Sequence, residues 1–600
     1  MSVRSVTSGN FTSLASSLLA DDFRLDEVLA SGKDALPVPR LRGKTVHSTH
    51  DPREEAKRSV DAFCQGKGVG RGDTAAVLGN GYGYAAEALL ERGVRPVVFE
   101  PSPALFLGMA RDREMGTFLR SVRYYLVDDP SDLYRSGDHR SDLAAAKAIL
   151  TLPYAQWLFP AFTDGVERKA SAIRAAHDTF FRVSVISPLS GGSWEIARYA
   201  ARGLAGIGHV VDFVDVSGFG GAFTSIREFH RERIPAVATA GMKAYEEWAS
   251  GQILERVNAF DPAVVLVLAQ APISTAHIRE MREAGRRVVF WFVEDYRLFR
   301  YWELNAGDYD LFLPIQKGEF PGELALCGQP RSHYLPLAAD DAIFFPSSPS
   351  AEEGKRFGAA ISFMGAGYHN RLRFFNMLLG RDFKIWGTQW PRNEPLSRHL
   401  QEEGRRVTAE ETARIFNATR VNVNLHSSTS HEGVNPFGDF VNPRTFEIAA
   451  CGAFQLVDRR ALLPELFEAG EEIACFGGRE DFLERIEYFL AHPRERAEIS
   501  RKGMARVLRE HTYGDRMREL LDAVHEKCPP EKGRRLPTVR GMASELADPG
   551  WQALLGGFPP GRPLEFDALL AAVAGKPQDV PVTRQETITL LLGGLRNGNL

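Results

Sequence analysis

The clearest candidate for chemistry is an acid in an otherwise apolar run, in residues 441–454, VNPRTFEIAACGAF. Asn442 and Pro443 predict a helix start, because Asn caps helices and proline suits the first helical position. Glu447 then stands among apolar residues, one turn after Arg444. Because a buried carboxylate is costly unless something binds it, Glu447 either pairs with a cation such as Arg444 or binds a ligand.

The start of this predicted helix suits a phosphorylated ligand. Its free N–H groups and the positive end of the helix dipole favour a diphosphate. Arg444 adds a positive charge there, and Glu447 could accept hydrogen bonds from sugar hydroxyls. On spacing alone, this functional interpretation and a simple ion pair are equally open.

Further polar and glycine residues follow the strands predicted nearby. ISFMG ends at Gly365, and the loop that follows it leads to Arg371. VNVNLH ends at His426, and Asp439 stands shortly before the helix. Ligands of open α/β sheets bind beyond the carboxyl ends of the strands, so these residues predict one site for a phosphorylated ligand. A purely structural role is the alternative for His426.

The elements that must position these residues are strands alternating with helices. Apolar strand-like runs and helical segments alternate through two successive units between Phe181 and Lys527. This alternation is typical of parallel sheets covered on both faces, so the predicted fold class is α/β. A further strand–turn–helix unit begins at Asp73, and a long helical stretch is predicted over about residues 142–179.

The first of the two units carries a second group of candidates. Gly191, Gly192 and Ser193 form a glycine-rich turn after a strand, which could contact a ligand or be an ordinary tight turn. VVFWFVED places Glu294 and Asp295 at the carboxyl end of a strand. One of these acids could face a cleft, and capping a helix is the alternative for Asp295.

The unit near the N-terminus has a nucleotide-binding pattern. Gly79, Gly81 and Gly83 follow a strand, and Glu100 ends the next one. This is the fingerprint of dinucleotide or S-adenosylmethionine sites, in which the acid binds ribose hydroxyls. No methyltransferase catalytic motif follows, so we favour a non-catalytic Rossmann-like domain and leave S-adenosylmethionine binding open.

Composition excludes several classes of protein. The net charge of −4 over 600 residues gives no support for a nucleic-acid partner. The five cysteines are scattered and no CxxC pair occurs, which argues against zinc clusters and disulfides and favours the cytoplasm. No run reaches the ~18 apolar residues of a transmembrane segment.

NPRTFEIAACGAFQLVD and the later HTYGDR resemble the C-terminal domain of GT-B glycosyltransferases, most of all the group-1, spore-maturation CgeB-like branch. The resemblance is specific over about residues 361–521 and topological over about 181–345. It implies two Rossmann-like domains facing a cleft, with a nucleotide-sugar donor on the second and an acceptor on the first. It also implies that neither a metal nor a cofactor is required. The N-terminal unit resembles class I methyltransferase folds.

The resemblance implies roles for individual residues. Glu447 would hold the donor ribose, and Asp439, which is separated from it by seven residues, would stand in for a second family acid that is one methylene longer. Arg371 would contact the diphosphate, with Arg444 in place of a family lysine. The predicted donor site is therefore Gly365, Arg371, His426, Asn442, Arg444 and Glu447, and the catalytic candidates are Asp439, Glu447 and Asp295.

We predict four regions: a Rossmann-like or methyltransferase-like domain (1–175), an acceptor domain (180–345), a donor domain (355–528) and a helical tail (529–600). The predicted function is sugar transfer from a nucleotide sugar, with UDP-sugars among the candidates. The acceptor would be a cell-surface, flagellar, polysaccharide or metabolite molecule. The alternatives are an S-adenosylmethionine-dependent methyltransferase with sugar-binding domains and a non-catalytic assembly scaffold.

Overall fold

The computed structural model of the protein describes residues 4–6, 25–127, 129–134, 137–177, 179–231, 235–435, 437–577 and 580–596. The chain divides into two compact units, Met1–His177 and Asp178–Leu600.

Strands and helices alternate along most of the chain. The strands are β1 Arg4–Val6, β2 Glu27–Ala30, β3 Pro37–Leu41, β4 Lys44–Thr45, β5 Thr74–Leu78, β6 Arg95–Glu100, β7 Arg123–Leu126, β8 Ala146–Thr151, β9 Arg182–Ile186, β10 Val210–Val214, β11 Val264–Leu268, β12 Arg287–Phe292, β13 Leu311–Pro314, β14 Ala359–Met364, β15 Phe383–Trp386, β16 Thr419–Asn424, β17 Gln455–Asp458 and β18 Ala474–Phe476. The α-helices are α1 Pro52–Lys67, α2 Tyr84–Glu91, α3 Pro103–Asp112, α4 Met115–Ser121, α5 Gly137–Ala145, α6 Pro153–Leu158, α7 Pro160–Ala176, α8 Gly192–Gly206, α9 Gly220–Arg231, α10 Pro235–Phe260, α11 Thr275–Glu283, α12 Phe320–Leu326, α13 Ala351–Phe357, α14 His369–Phe374, α15 Ala409–Ala418, α16 Pro443–Ala450, α17 Arg479–Ala491, α18 Pro493–Glu510, α19 Tyr513–Lys527, α20 Val539–Glu545, α21 Pro549–Leu555, α22 Phe566–Ala574 and α23 Arg584–Arg596. In the parts of the chain that the structure describes, no helix is long and apolar enough to span a membrane.

The first unit is built on a five-stranded sheet in the order β1-β7-β6-β5-β8. The strands β5 to β8 run parallel in this sheet, and β1 joins its edge antiparallel. Apolar clusters fill both faces of the sheet. The strand order around β5 is that of a Rossmann-like domain, with its topological switch point between β5 and β8.

The predicted helical stretch over residues 142–179 is wrong, because β8 lies within it. The sequence of β8, AKAILT, is composed largely of good helix formers. It forms a strand because it pairs in parallel with β5, completing the sheet beside the glycine-rich loop. Tertiary pairing has therefore overridden the local propensity.

The second unit contains two parallel five-stranded sheets, in the orders β10-β9-β11-β12-β13 and β15-β14-β16-β17-β18. Neighbouring strands run parallel in both sheets. Each sheet has its switch point where its first and third strands lie side by side. The predicted α/β class, with two Rossmann-like domains preceded by a third, is confirmed.

Within the second unit, we call the domain built on β9–β13 the first domain and the domain built on β14–β18 the second domain. The chain returns from the second domain to the first through α19, which packs on α8. Gly203 permits this approach, because a Cβ built on it would lie 2.7 Å from Tyr513 O. Beyond α19, the described part of the tail contains four α-helices, α20 to α23, in agreement with the predicted helical tail. Arg562 Nη2 donates a hydrogen bond to Gly206 O at 3.1 Å, so the tail rests on the end of α8.

Candidate active site

A cavity of about 610 Å³ lies between the two sheets of the second unit, beyond the carboxyl ends of their strands. Its lining includes the predicted residues Gly191, Gly192, Ser193, Asp295, Gly365, Arg371, Asn442, Arg444 and Glu447. The remaining two predictions for this unit, His426 and Asp439, lie outside the lining. Four acids and three arginines face this cleft: Glu195, Glu294, Asp295, Glu447, Arg371, Arg406 and Arg444.

The first turn of α16 is fixed by a buried network of amides. Asn442 caps the helix, its Oδ1 accepting a hydrogen bond from Thr445 N at 3.2 Å. Asn424 Nδ2 donates to Thr445 Oγ1 at 2.9 Å, which ties the cap to the end of β16. The predicted cap and the proline at the first position are confirmed. The free N–H groups of this helix therefore start at the wall of the cleft.

His426 supports this helix from behind. Its Nε2 accepts a hydrogen bond from Asn442 N at 2.9 Å, and its Nδ1 lies 2.6 Å from Asp458 Oδ1. Burial lowers the pKa of His426 to about 4, against the opposing effect of Asp458. A neutral imidazole with both nitrogens committed positions the helix, which is the structural alternative that the sequence left open.

Glu447 is buried, with 8% of its surface exposed, and it faces the cleft. Burial raises its pKa to about 7; Arg444 opposes this rise and Glu195 adds to it. Among the described residues, the carboxylate accepts no hydrogen bond and forms no direct ion pair with Arg444. The Nε of Arg444 is also buried without a partner in that part of the chain. Within the described chain, Glu447 and Arg444 therefore affect each other's pKa without forming a direct ion pair.

Arg371 is committed mainly to the backbone around the cleft. Its Nε and Nη2 donate to Leu425 O at 3.1 and 2.8 Å, and its Nη1 donates to Ala366 O at 2.8 Å. Burial, then the nearby Arg444, lowers its pKa to about 9. The side chain links the loops after β14 and β16. Its N–H groups are already used, so Arg371 contributes positive charge to the cleft rather than a bidentate contact to a phosphate.

Replacing Arg371 by alanine is expected to lower the free energy of unfolding by about 3 kcal/mol, because buried carbonyls lose charged donors. Thermal or urea unfolding measures the change. Replacing the exposed Arg373 of the same helix by alanine is the matched control, with an expected effect within about 0.5 kcal/mol. Equal stability of the two variants would contradict the bracing role.

The first domain contributes the start of α8 to the cleft. Gly191 has φ 97°, a conformation open to glycine, and its carbonyl accepts a hydrogen bond from Arg406 Nη2 at 2.8 Å. Glu195, in the first turn of α8, pairs with Arg198 Nη2 at 2.8 Å. Sequence reasoning missed both Arg406 and Glu195. Glu195 could have been found from its place just after the glycine-rich turn, whereas nothing in the sequence marks Arg406.

Asp439 and Asp295 meet on the side of the cleft where the two domains touch. Asp439 accepts hydrogen bonds from Gln316 Nε2 at 2.8 Å and from Arg297 Nη1 at 3.2 Å. Asp295 accepts from Arg297 N at 3.0 Å, so it shapes the turn after β12. Asp439 thus takes part in a contact between the domains, whereas Asp295 orders a turn within the first domain and caps no helix.

Glu294 occupies a different position from its neighbour Asp295. Its side chain accepts a hydrogen bond from Tyr301 OH at 2.9 Å and another from Gln270 Nε2. Burial raises its pKa, while these two hydrogen bonds act to lower it. A half-buried carboxyl with a raised pKa, on the wall of a cleft, is suited to proton transfer.

Two closely spaced acids elsewhere in the first domain are already paired. Asp308 Oδ1 lies 2.8 Å from Arg279 Nε, and Asp310 Oδ1 lies 3.0 Å from Arg282 Nε. Asp310 also accepts a hydrogen bond from Val288 N at 2.9 Å. This Asp-x-Asp sequence therefore anchors α11 to the sheet.

The nucleotide pattern of the first unit is filled by the protein itself. Glu100 is fully buried and accepts hydrogen bonds from Asn80 N at 2.7 Å, Ser102 N at 2.9 Å and Tyr154 OH at 2.6 Å. Gly81 N also donates to Tyr154 OH, at 2.9 Å. Burial raises the pKa of Glu100 to about 7. The acid expected to bind ribose is thus enclosed by its own loop.

The space over the three glycines is also occupied. A Cβ on Gly79 would lie 2.7 Å from Tyr154 Oη, one on Gly81 would collide with His47, and one on Gly83 would lie 3.1 Å from Arg113 Nη1. Tyr82 N donates to His47 Nε2 at 2.9 Å. The residues of this loop therefore do not fit a bound dinucleotide or S-adenosylmethionine.

We expect S-adenosylmethionine to cause no heat of binding and no change in Tm when it is added to the full-length protein, because Tyr154 and His47 fill its cradle. Calorimetry tests this expectation. A nucleotide sugar, the ligand that the resemblance predicts for the second unit, serves as the positive control for the same preparation. Micromolar binding would show that the two side chains move aside.

The sequence comparisons agree with the site. Residues 371–522 match the family model described as glycosyl transferase-like. These residues include Arg371, the whole of α16 and most of α19, so the matched segment forms one wall of the cleft. Together with the two Rossmann-like domains, this match supports the glycosyltransferase activity and the GT-B architecture that the resemblance in the sequence predicts.

The chain is also similar to the spore protein CgeB of Bacillus subtilis (strain 168). It is 22% identical over 327 residues, which cover 52% of this chain and 96% of CgeB. This similarity supports the predicted resemblance to the CgeB-like, group-1 branch.

Similar solved structures include sucrose-phosphate synthase from Thermosynechococcus elongatus, with a TM-score of 0.39 and 11% identity over 57% of this chain and 97% of that one. Anabaena Alr3699/HepE in complex with UDP-glucose has a TM-score of 0.39 and 13% identity, over 57% of this chain and 100% of its own.

Proposed function

We propose that the protein transfers a sugar from a nucleotide-sugar donor held on the second domain of this cleft. The observation that carries the proposal is Glu447, a buried carboxylate that faces the cleft without a direct protein partner in the described chain. A buried charge of this kind is stable only when a ligand or a nearby cation compensates it. Ribose hydroxyls would donate hydrogen bonds to it.

The diphosphate would lie at the start of α16. The free N–H groups of the first turn and the guanidinium groups of Arg444 and Arg406 supply positive charge to the cleft. These groups would also stabilise the negative charge that develops on the departing nucleoside diphosphate. Asn442 and His426 act indirectly, because they hold the helix in place.

We assign proton transfer to Glu294 rather than to Asp295. The acceptor oxygen attacks the anomeric carbon, and the bond from that carbon to the diphosphate oxygen breaks. The bonding electron pair leaves with the nucleoside diphosphate, and the hydroxyl proton passes to a Glu294 carboxylate oxygen. The raised pKa of Glu294 makes it a better base than an ordinary carboxylate.

The test is a thermal-shift panel of UDP-, GDP- and CMP-sugars on the full-length protein. A ligand that binds only the folded state must raise Tm, so one member of the panel is expected to do so. The same compound should then be hydrolysed slowly or transferred, with release of the nucleoside diphosphate. Neither binding nor turnover across the panel would refute the proposed function.

A further inference from the structure

The second domain has another cavity, of about 490 Å³, which lies beside β18, the edge strand of its sheet. We call it the β18 cavity. Its walls are β18, the helices α17 and α18, and the loop between β17 and β18. No described residue lines both this cavity and the cleft, so the two are separate places on the protein. The volume lies within the usual range of small-molecule sites.

The charged side chains that line the β18 cavity are mainly basic. In the described chain they are three arginines, Arg459, Arg460 and Arg485, and one acid, Glu495. The carboxylate of Glu495 already accepts a hydrogen bond from Tyr488 OH at 2.7 Å. The lining therefore presents more positive than negative charge, which favours an anionic ligand.

The three arginines differ in how their charges are compensated. Arg485 Nε lies 2.6 Å from Asp481 Oδ1, in an ordinary ion pair. Arg460 is buried, and its Nη1 lies 3.7 Å from Asp458 Oδ2 with no hydrogen-bond partner in the described chain. The side chain of Arg459 is exposed and, within the same residues, forms neither a hydrogen bond nor an ion pair. Arg459 is therefore the guanidinium that is free to bind a ligand.

Arg459 and Arg485 lie at the same part of the β18 cavity. Burial raises the pKa of the Cys475 thiol to about 11, and Arg459 and then Arg485 oppose this rise. Both guanidinium groups are therefore close enough to this sulfur to act on it. A Cβ built on Gly477 would lie 3.7 Å from Arg459 Cζ, which places that guanidinium just beyond the end of β18. Two converging guanidinium groups suit a phosphate, whose oxygens accept hydrogen bonds from both.

The β18 cavity also has an apolar surface. Leu463, Phe489 and Ile499 are buried side chains in its lining. The ring of Phe489 packs on that of Phe454, with the centroids 4.6 Å apart, so this wall is fixed. Inorganic phosphate would leave the apolar surface in contact with water, whereas a phosphate that carries an apolar or ring-shaped body would cover it. The lining therefore favours a phosphate monoester.

We propose that the β18 cavity binds a small phosphate monoester with an apolar body, at a site separate from the cleft. The phosphate contacts Arg459 and Arg485, and the body packs against Phe489. This inference does not depend on the proposed function. Arg459 directly follows Asp458, whose carboxylate holds His426 behind the start of α16, so the ligand would lie next to the support of the cleft.

Protection of Cys475 from alkylation tests the site on the full-length protein. Cys475 and Cys327 are partly exposed, whereas Cys64, Cys451 and Cys528 are buried, so Cys327 is the control within the same molecule. Phenyl phosphate is the probe. At about ten times its Kd it is expected to slow the labelling of Cys475 by iodoacetamide about ten-fold and to leave Cys327 unchanged, as measured by peptide mass spectrometry. Benzyl alcohol, which has the ring without the charge, should protect neither cysteine.

Two substitutions assign the protection to the arginine. Arg459→Ala should raise the Kd of phenyl phosphate about 10- to 100-fold, because a charged hydrogen bond is lost, and Arg459→Lys should keep part of the affinity. Arg501→Ala, an exposed arginine of α18 outside the lining, is the matched control and should bind as the native protein does.

The outcomes decide the proposal directly. Protection of Cys475 that is lost in Arg459→Ala and kept in Arg501→Ala supports it. Labelling of the native protein that phenyl phosphate does not slow overturns it, because nothing then occupies the cavity. Equal protection by benzyl alcohol, or full protection in Arg459→Ala, also overturns it, since the ligand would then not be held by its charge.

Discussion

Replacing Glu447 by glutamine is expected to weaken binding of the nucleotide by about 10- to 100-fold. A hydrogen bond to a charged acceptor contributes on the order of 1.5–3 kcal/mol, and the ribose would lose that charged acceptor. Calorimetry with the nucleoside diphosphate that raises Tm most in the donor panel measures the loss. Glu480→Gln, an exposed acid at the start of α17, is the control and should bind as the native protein does.

The same variant has a stability signature. Burial raises the pKa of Glu447 to about 7, above its ordinary value of 4.5. The stability linked to this group is complete below the unfolded pKa and is lost as the pH rises through 7. Glu447→Gln should therefore be more stable than the native protein at about pH 8, by up to about 3 kcal/mol, and nearly equal at about pH 4. Lower stability and normal nucleotide affinity together would contradict the assignment.

Replacing Glu294 by glutamine is expected to lower kcat by about 10²- to 10⁴-fold, the usual contribution of a general base, with little change in either KM. The amide keeps the size of the side chain and its contact with Tyr301. In the native enzyme the rate should fall on the acid side as Glu294 takes up a proton. Because its pKa is raised, this fall begins above the usual carboxylate range.

Asp295→Asn is the comparison for this experiment. The amide oxygen can still accept from Arg297 N, so kcat should fall by no more than about ten-fold. If Asp295→Asn abolished transfer and Glu294→Gln did not, the base would be Asp295. Determining the anomeric configuration of the product addresses the chemistry separately, since only an inverting transfer requires a base in this role.

Most of the fold could be predicted from the sequence because most of its strands are short apolar runs. VVLVL and RVVFWF are buried along their length and lie between helical segments, which is the pattern of a parallel sheet. The strand β8 was not predicted because AKAILT lacks such an apolar run, and its pairing with β5 decides its structure. The sheet formed by β2, β3 and β4 was not predicted for a similar reason. Its sequence is largely polar, and local composition does not indicate which distant segments pair.

The residues of the candidate site could be predicted together only where they belong to one segment of the sequence. Asn442, Arg444 and Glu447 stand on one helix start, so their spacing marked them together. Arg406 and Gln270 come from distant loops, and only the packing of two domains brings them to the cleft. Tyr154 shows how a sequence motif can mislead. The glycine pattern predicts a cofactor site, but the side chain of Tyr154, distant in sequence, occupies the space over it.

The return of α19 to the first domain means that sequence order and spatial order differ in the second unit. Its residues Met517, Leu520 and Val524 are buried in the same apolar cluster as β9 and β11. A fragment that begins near residue 355 and ends at 528 would carry this apolar face without the surface that covers it. The donor half is therefore best expressed either with the first domain or cut before Tyr513, and a protease would release the two halves as separate pieces only by cutting the chain twice.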